Sequence, residues 1–190
     1  TCGILALGLL VLRAGTAPAS AAGGLPALEA RVAALEAILA PFSIAPHPGG
    51  GSDVFITGAN LHLRNGLGAT NGNPGQPFDV DPATTPTNGL GNLIVGYNEP
   101  GQQCCDDRSG SHNVVIGSML NFTRFGGIVA GLRSTTSGAY SSVTGGNANI
   151  ASGNFSTISG GFNNTASGNV SSVSAGSSNT ASGALSSVSG

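Results

Sequence analysis

Residues 151–165 read ASGNFSTISGGFNNT, and residues 166–180 repeat the pattern as ASGNVSSVSAGSSNT. The same frame continues as ASGALSSVSG to residue 190 and extends back to residue 136, with equivalent residues 15 positions apart. A unit of this length is too short for the helix pairs of longer repeats, but it matches one coil of a β-solenoid. We therefore predict stacked coils in which equivalent residues form continuous columns.

Two apolar columns and one polar column run through these units. The first apolar column is Val143, Ile158, Val173 and Val188, the second is Tyr140, Phe155, Val170 and Leu185, and the polar column is Asn149, Asn164 and Asn179. The apolar columns are three residues apart, so they cannot share one face of an uninterrupted strand. We expect one to fill the interior and the other to face a neighbouring chain. The spacing leaves the assignment open, and we take the Val143 column as the candidate for the contact between chains. The Asn and Ser columns are expected to form ladders of hydrogen bonds along the stack.

Longer apolar strands precede these units. Residues 92–96 (NLIVG) and 113–117 (NVVIG) share an N-h-h-h-G form, and residues 128–131 (IVAG) continue it. The first two are 21 residues apart, and the extra residues include 101–107 (GQQCCDD), which we predict to be a projecting loop. Cys104 and Cys105 lie on it. An adjacent pair in an exported protein can form a strained vicinal disulfide, bond to other chains or stay free.

The N-terminal segment has the pattern of an export signal. The apolar run Gly3–Leu12 has the length of a signal-peptide core and is too short for a membrane-spanning helix. Ala19-Ser20-Ala21 fits a signal-peptidase cleavage pattern. We interpret residues 1–21 as a truncated signal peptide, with a short buried helix as the alternative. Export is the first functional expectation.

Residues 25–40 are predicted to form a short coiled-coil helix. Apolar residues recur there at spacings of 3 and 4, at Leu25, Leu28, Val32, Leu35 and Leu39. Pro41 then ends the helix. The run Arg31 to Glu36 resembles the R-h-x-x-h-E pattern of short trimeric coiled coils, although an Arg and a Glu on a helix are also typical of a solvated face. The candidates for the trimer interface in this helix are Leu28, Arg31, Val32, Leu35, Glu36 and Leu39.

The segment between the helix and the repeats is rich in turn-forming residues. Residues 41–52 contain many Pro and Gly and are interpreted as a linker. Residues 53–91 are predicted to form an irregular cap, with short strands at 54–56 and 61–63. Residues 92–190 complete the domain organisation as the β-solenoid repeats.

Composition argues against several classes of function. Only 7% of the residues are charged and the net charge is -2, which gives no basic surface for a nucleic acid. Asp79 and Asp81 are compatible with calcium or, more simply, with a turn before Pro82. Cys104, Cys105, Asp107 and His112 are compatible with a metal site or with a disulfide-bearing loop. We prefer the turn and the disulfide-bearing loop, and so assign no catalytic residue, metal site or cofactor. We therefore do not expect an enzyme, and no segment is long enough to span a membrane.

The repeats resemble a known family. The units A-S-G-x-[YFVL]-S-[ST]-[VI]-[ST]-[GA]-G and the N-x-V-I-G strand, across residues 92–190, are similar to the head repeats of YadA-like trimeric autotransporter adhesins. This resemblance implies a left-handed parallel β-roll, three chains around a shared axis, coiled-coil segments and a place on a bacterial surface. A coiled coil ahead of the head departs from the usual order, and residues 53–91 match no motif of that family.

The expected fold is mainly β, a parallel β-solenoid of 14–15-residue coils preceded by a short coiled-coil helix. The expected function is that of a secreted or surface-exposed homotrimeric fibre or adhesin-like head, which presents a stiff repetitive surface for attachment to a host, a matrix or other cells. The alternative is a self-assembling subunit of an extracellular filament or sheath. A module that recognises ice is the weakest alternative, because a regular T-x-T ladder is absent.

Overall fold

The structure, a computed structural model, describes residues 24–101 and 106–190. They belong to two compact units that divide between Leu61 and His62. The predicted export signal and the Cys104–Cys105 pair lie outside the described residues.

The first unit contains a helix followed by a β-hairpin. Helix α1 spans Gly24–Leu39, as the apolar spacing predicts. Strands β1 (Phe42–Pro46) and β2 (Ser52–Ile56) pair antiparallel, with Phe42 opposite Ile56. The interpretation of residues 41–52 as a linker is therefore wrong for its first half. Its Pro and Gly residues lie mainly at the end of β1 and in the turn, where Gly50 and Gly51 adopt positive φ.

The second unit begins with an irregular segment and continues as a parallel β-solenoid. Residues 62–92 contain no strand, so the strand predicted at 61–63 is wrong. The solenoid strands are β3 (Leu93–Val95), β4 (Val114–Ser118), β5 (Asn121–Phe122), β6 (Ile128–Leu132), β7 (Thr135–Thr136), β8 (Ser142–Val143), β9 (Ile150–Ala151), β10 (Thr157–Ile158), β11 (Thr165–Ala166), β12 (Ser172–Val173), β13 (Thr180–Ala181) and β14 (Ser187–Val188). All of their pairings are parallel, which confirms the predicted solenoid.

Two sheets wrap the stack. The larger sheet has 7 strands in the order β14-β12-β10-β8-β6-β4-β3, and the smaller has 5 in the order β13-β11-β9-β7-β5. Each complete coil contributes one strand to each sheet, and backbone N–H groups donate to the next coil, as Ser142 N does to Ser156 O over 2.9 Å. Isolated parallel bridges form a third, minor ladder, which joins Leu132, Asn147, Phe162 and Ser177.

The interior of the repeated coils is narrow. Val143, Ile158 and Val173 from the larger sheet meet Ala151, Ala166 and Ala181 from the smaller sheet, and all six are buried. The coils nearer the N-terminus have bulkier interiors, built from Val115, Leu120, Phe122, Phe125 and Val129. Each repeated coil thus buries one Val or Ile against one Ala, whereas the earlier coils bury aromatic side chains.

The Val143 column is interior, so our assignment of Val143, Ile158, Val173 and Val188 to a contact between chains is wrong. The first three are at most 1% exposed, and Val188 packs against the same cluster. The physical reason is strand alternation. The flanking hydroxyl residues, such as Ser142 and Thr144, take the outward positions, and this directs each Val or Ile inward.

The Asn column forms the hydrogen-bonded ladder that its spacing predicts. Asn164 N donates to Asn149 Oδ1 over 3.0 Å, and Asn179 N donates to Asn164 Oδ1 over 2.9 Å. The Asn164 Nδ2 group also donates to the carbonyls of Gly160 and Gly176, at 3.1 and 3.0 Å. These amides satisfy buried backbone groups in the turns, because each side chain bonds to its own coil and to the next.

Arg124 attaches the irregular segment to the solenoid. Its guanidinium donates to Val80 O over 2.9 Å, to Thr85 O over 3.3 Å and to Thr85 Oγ1 over 2.7 Å. Burial lowers the pKa of Arg124, and the carboxylates of Asp81 and Asp79 oppose that shift. Charged hydrogen bonds of this kind contribute roughly 1.5–3 kcal/mol each.

We expect the Arg124→Met substitution to loosen residues 80–86 without affecting the later coils. The methionine keeps the apolar stem but loses all three bonds, so amide hydrogen exchange in this segment should accelerate by about tenfold or more. Hydrogen exchange followed by mass spectrometry measures this. Arg133→Met is the control, because Arg133 is exposed. Equal exchange rates in the two variants would contradict the anchoring role.

Candidate functional site

One edge of the solenoid carries an exposed apolar column, which we call the edge column. It consists of Tyr140, Phe155, Val170 and Leu185, each in the turn that leads from the smaller sheet to the larger. Phe155 is 48% exposed, Val170 50% and Leu185 77%, whereas Tyr140 is half-buried. The spacing predicted that one of the two apolar columns lies outside the interior, and the structure shows that it is the Tyr140 column.

The edge-column residues have left-handed backbone conformations. Their φ values lie between 55° for Tyr140 and 61° for Leu185, a region in which a β-branched residue such as Val170 is an outlier. The conformation turns each N–H group towards the preceding coil, so that Val170 N donates to Asn154 O over 2.8 Å. The turn geometry therefore demands a positive φ at these positions, but it does not demand an apolar side chain.

The opposite edge shows what the fold alone requires. There, from residue 133 onwards, the non-glycine residues with positive φ are Arg133, Ala148, Asn163 and Ser178, none of which has a large apolar side chain. The two edges repeat with the same period and use the same backbone conformation. The large apolar side chains of the edge column, placed where they are strained and exposed, make this column the candidate contact surface of the solenoid.

Aromatic stacking joins the edge column to the earlier coils. Tyr140 stacks on Phe155 with ring centroids 5.6 Å apart, and it meets the buried Phe125 edge-on at 5.1 Å. Such arrangements add about 0.5–1.5 kcal/mol per pair beyond burial. The side chains of Tyr140 and Phe155 are thus held against the earlier coils in the single chain.

Helix α1 presents a second unpartnered apolar surface. Of the interface candidates, Leu28, Val32 and Leu35 are exposed and Leu39 is half-buried. Arg31 and Glu36 are exposed on the flanks of this stripe. The structure describes one chain, so the coiled-coil pairing of these residues stays a prediction.

The outward face of the larger sheet is polar and uncharged across the repeats. Its strand positions carry hydroxyl residues, among them Ser142, Thr157 and Ser172. Thr144 Oγ1 donates to Ser159 O over 3.0 Å, and the Ser172 and Ser187 hydroxyls lie 3.0 Å apart. These rows mix Ser and Thr and therefore form no regular T-x-T array.

The acidic residues of the irregular segment organise turns. Asp79 Oδ1 accepts from Asp81 N and Asp81 Oδ1 accepts from Ala83 N, both at 2.9 Å, which is the geometry of Asx turns. The hydrogen bond from the Thr84 hydroxyl, with that from Asp81 N, lowers the pKa of Asp79. Asp79 and Asp81 thus form the turn that the sequence offered as the alternative to a calcium site.

His112 also has a structural environment. Its Nε2 accepts from Asn65 N over 3.2 Å, and its Nδ1 donates to Thr70 O over 2.9 Å. In residues 24–101 and 106–190, no three His, Cys, Asp or Glu side chains are grouped closely enough to hold a metal ion. Asp106 accepts from Gly101 N and the Asp107 carboxylate accepts from Ser109 N, so both acidic residues cap backbone groups near the predicted loop.

Sequence reasoning missed the apolar face of the β1–β2 hairpin. Phe42, Ile44, Val54 and Ile56 share one face, because cross-strand partners lie on the same side. The available signal was the alternation in residues 42–46, FSIAP, which the neighbouring Pro and Gly residues obscured.

Within the described ranges, no helix combines the length and the apolar character needed to cross a membrane. The chain matches no protein-family model, no curated protein and no solved structure.

Proposed function

We propose that this chain is part of an exported homotrimeric fibre or adhesin-like head that presents a stiff, repetitive surface for attachment. The observation that carries the proposal is the edge column, in which each repeated coil displays a large side chain at a strained turn. Phe155, Val170 and Leu185 are as large as the residues of the interior, yet they are exposed in the single chain. Three parallel chains would cover such a column along its whole length.

The narrow interior supports association. A repeated coil has one Val or Ile and one Ala inside it, which is little apolar area to oppose the entropy of ordering a coil. Contact with neighbouring chains would add a second large side chain to the apolar surface that each coil buries. The stripe of α1 would be covered by the same association, because a lone helix of two heptads is marginal in water.

The remaining surface suits attachment. Parallel coils about 4.8 Å apart make a stiff stack, and the hydroxyl-bearing outer face has little charge to select against partners. Three copies of one face on a fibre raise apparent affinity through effective concentration even where each contact is weak. The proposed partners are two further copies of the chain and a host, matrix or cell-surface ligand of unspecified chemistry. Localisation at a bacterial surface follows from the resemblance alone.

The Val170→Asn substitution tests the edge column, because we expect it to raise the melting temperature of a monomer and to lower that of a trimer. Asparagine tolerates positive φ, so in a monomer the change relieves strain and stabilises the chain by about 1 kcal/mol. In a trimer the same change removes three Val side chains from the interface, and we expect the association constant to fall by about tenfold or more and the melting temperature to decrease. Light scattering after size exclusion and thermal denaturation measure both quantities.

Ser178→Asn is the matched control. Ser178 has a φ of 60° on the opposite edge, so that substitution should relieve strain without changing the association. A monomer whose melting temperature rises in both variants would rule out the trimer.

A filament or sheath subunit is the second proposal. Strand β3 is an end strand of the larger sheet, and Leu93, Ile94 and Val95 are all exposed there. An open apolar strand edge can pair with another chain. Electron microscopy of the isolated chain distinguishes the two proposals, since short rods are expected for the adhesin and long fibres for the filament.

A further inference from the structure

The β1–β2 hairpin has one apolar face and one mixed face. Cross-strand pairing places Phe42 opposite Ile56 and Ile44 opposite Val54 on the first face. All four side chains are exposed, with Ile44 at 58% and Val54 at 63%. A hairpin that exposes its whole apolar face is not stable alone in water.

The rest of its unit does not cover this face. From residue 24 to residue 61 no residue is buried. Both elements of the unit, α1 and the hairpin, therefore present apolar surface without an interior between them. Two-heptad helices and two-stranded hairpins are each marginal in isolation, so the unit needs a partner to fold stably.

We propose that this apolar face is an interface between three copies of the chain, in which the three hairpins pack around the axis of the α1 helices. The proposal rests on the homotrimer proposed above and names a further contact within it. The first support is continuity. Only Ala40 and Pro41 separate α1 from β1, and Thr57 N donates to Pro41 O over 2.8 Å, which fixes the base of the hairpin beside the end of the helix.

The dimensions fit a shared axis. Three Cα–Cα steps of 3.8 Å place Phe42 within about 11 Å of Leu39. Packed helices have axes about 8–10 Å apart, so three α1 helices would bring the three hairpin bases close together. Any rotation that relates the helices also relates the hairpins, which gives each apolar face two identical partners.

The positions of the charged residues agree with two further copies of the chain as the partners of this face. The apolar face carries no charged side chain, while Asp53 lies on the other face and bonds to His47 at 3.1 Å. Arg31 and Glu36 flank the α1 stripe, where they can pair between neighbouring helices of a parallel trimer. The charged groups thus fall at the rim and the apolar groups at the centre, as in stable interfaces.

The test compares two substitutions on adjacent residues of β1. Ile44→Asp places a charge on the apolar face, and Ser43→Asp places it on the opposite face. With the full chain, light scattering after size exclusion should show a trimer for the parent. The Ile44→Asp trimer should dissociate at concentrations about 100-fold higher or more, whereas Ser43→Asp should stay within about threefold of the parent. Similar weakening by both substitutions overturns the inference.

Because Ile44→Asp can also unfold the hairpin, a second measurement uses milder changes. In a chain with Cys2, Cys104 and Cys105 replaced by Ser, Val54→Cys should form disulfide-linked dimers on oxidation, and Asp53→Cys should not. A trimer without Val54→Cys dimers, and with no effect of Ile44→Asp, overturns the hairpin interface and leaves the trimeric fibre standing. A monomeric parent overturns both proposals, since the face is then covered by its own chain or by another protein.

Discussion

Replacement of Gly161 by Ala is expected to destabilise the stack by about 2–6 kcal/mol, whereas the same replacement of Gly160 should change stability by less than about 1 kcal/mol. A Cβ atom on Gly161 would overlap the carbonyl oxygen of Gly176 in the next coil and would lie 2.7 Å from Asn164 Nδ2. A Cβ on Gly160 would meet nothing within 4 Å. Denaturant unfolding followed by circular dichroism measures the difference.

The large effect follows from the spacing of the coils. Adjacent coils lie about 4.8 Å apart, so backbone stacked on backbone leaves no room for a methyl group that points along the stack. Gly161 also has a φ of 89°, a conformation that an L-residue with a Cβ rarely adopts. The neighbouring coil cannot retreat, because the Asn149, Asn164 and Asn179 ladder holds the turns together. Equal unfolding midpoints for the two variants would show that the turns are less tightly stacked than this geometry requires.

The period of the repeat makes the solenoid predictable from sequence, because every coil places the same residue type in the same environment. The Asn ladder followed from that period alone. The choice between the two apolar columns did not, because the strands are only two residues long, as in β8, and the alternation rule needs strand limits that the sequence does not mark. Tyr140 and its equivalents lie outside the strands, in the turns, and Phe155, Val170 and Leu185 are exposed there.

Two other features were beyond the sequence patterns. Phe122 and Phe125 fill the earlier coils, where residues paired between β6 and β8 are 14 positions apart. The frame of 15 residues therefore aligns Phe125 with Tyr140 of the edge column and Phe122 with Ser137, although both Phe side chains are buried. The hairpin was missed because Pro46 and the following glycines are typical of linkers, and only the paired structure shows that they end a strand and form its turn. In both cases the strand pairing identifies the feature, whereas the local sequence does not.

The Ile158→Asp substitution is expected to unfold the repeated coils while the earlier coils stay folded. Ile158 is fully buried within the cluster that includes Val143 and Val173. An unpaired carboxylate there should cost about 4 kcal/mol or more, since it removes a large buried side chain and buries a charge without a partner. Hydrogen exchange followed by mass spectrometry should show lost protection across residues 143–188.

The expected boundary of this unfolding lies where the interior changes. Val115, Leu120, Phe122 and Val129 form a separate buried cluster, and coils in a solenoid depend mainly on their nearest neighbours. Protection at residues 113–130 should therefore persist in the Ile158→Asp variant. Ser159→Asp is the control, because Ser159 is the exposed neighbour of Ile158 and its charge would lie in solvent. Loss of protection through both clusters would mean that the stack unfolds as one cooperative body, in which the narrow coils are held by contacts other than their own interior.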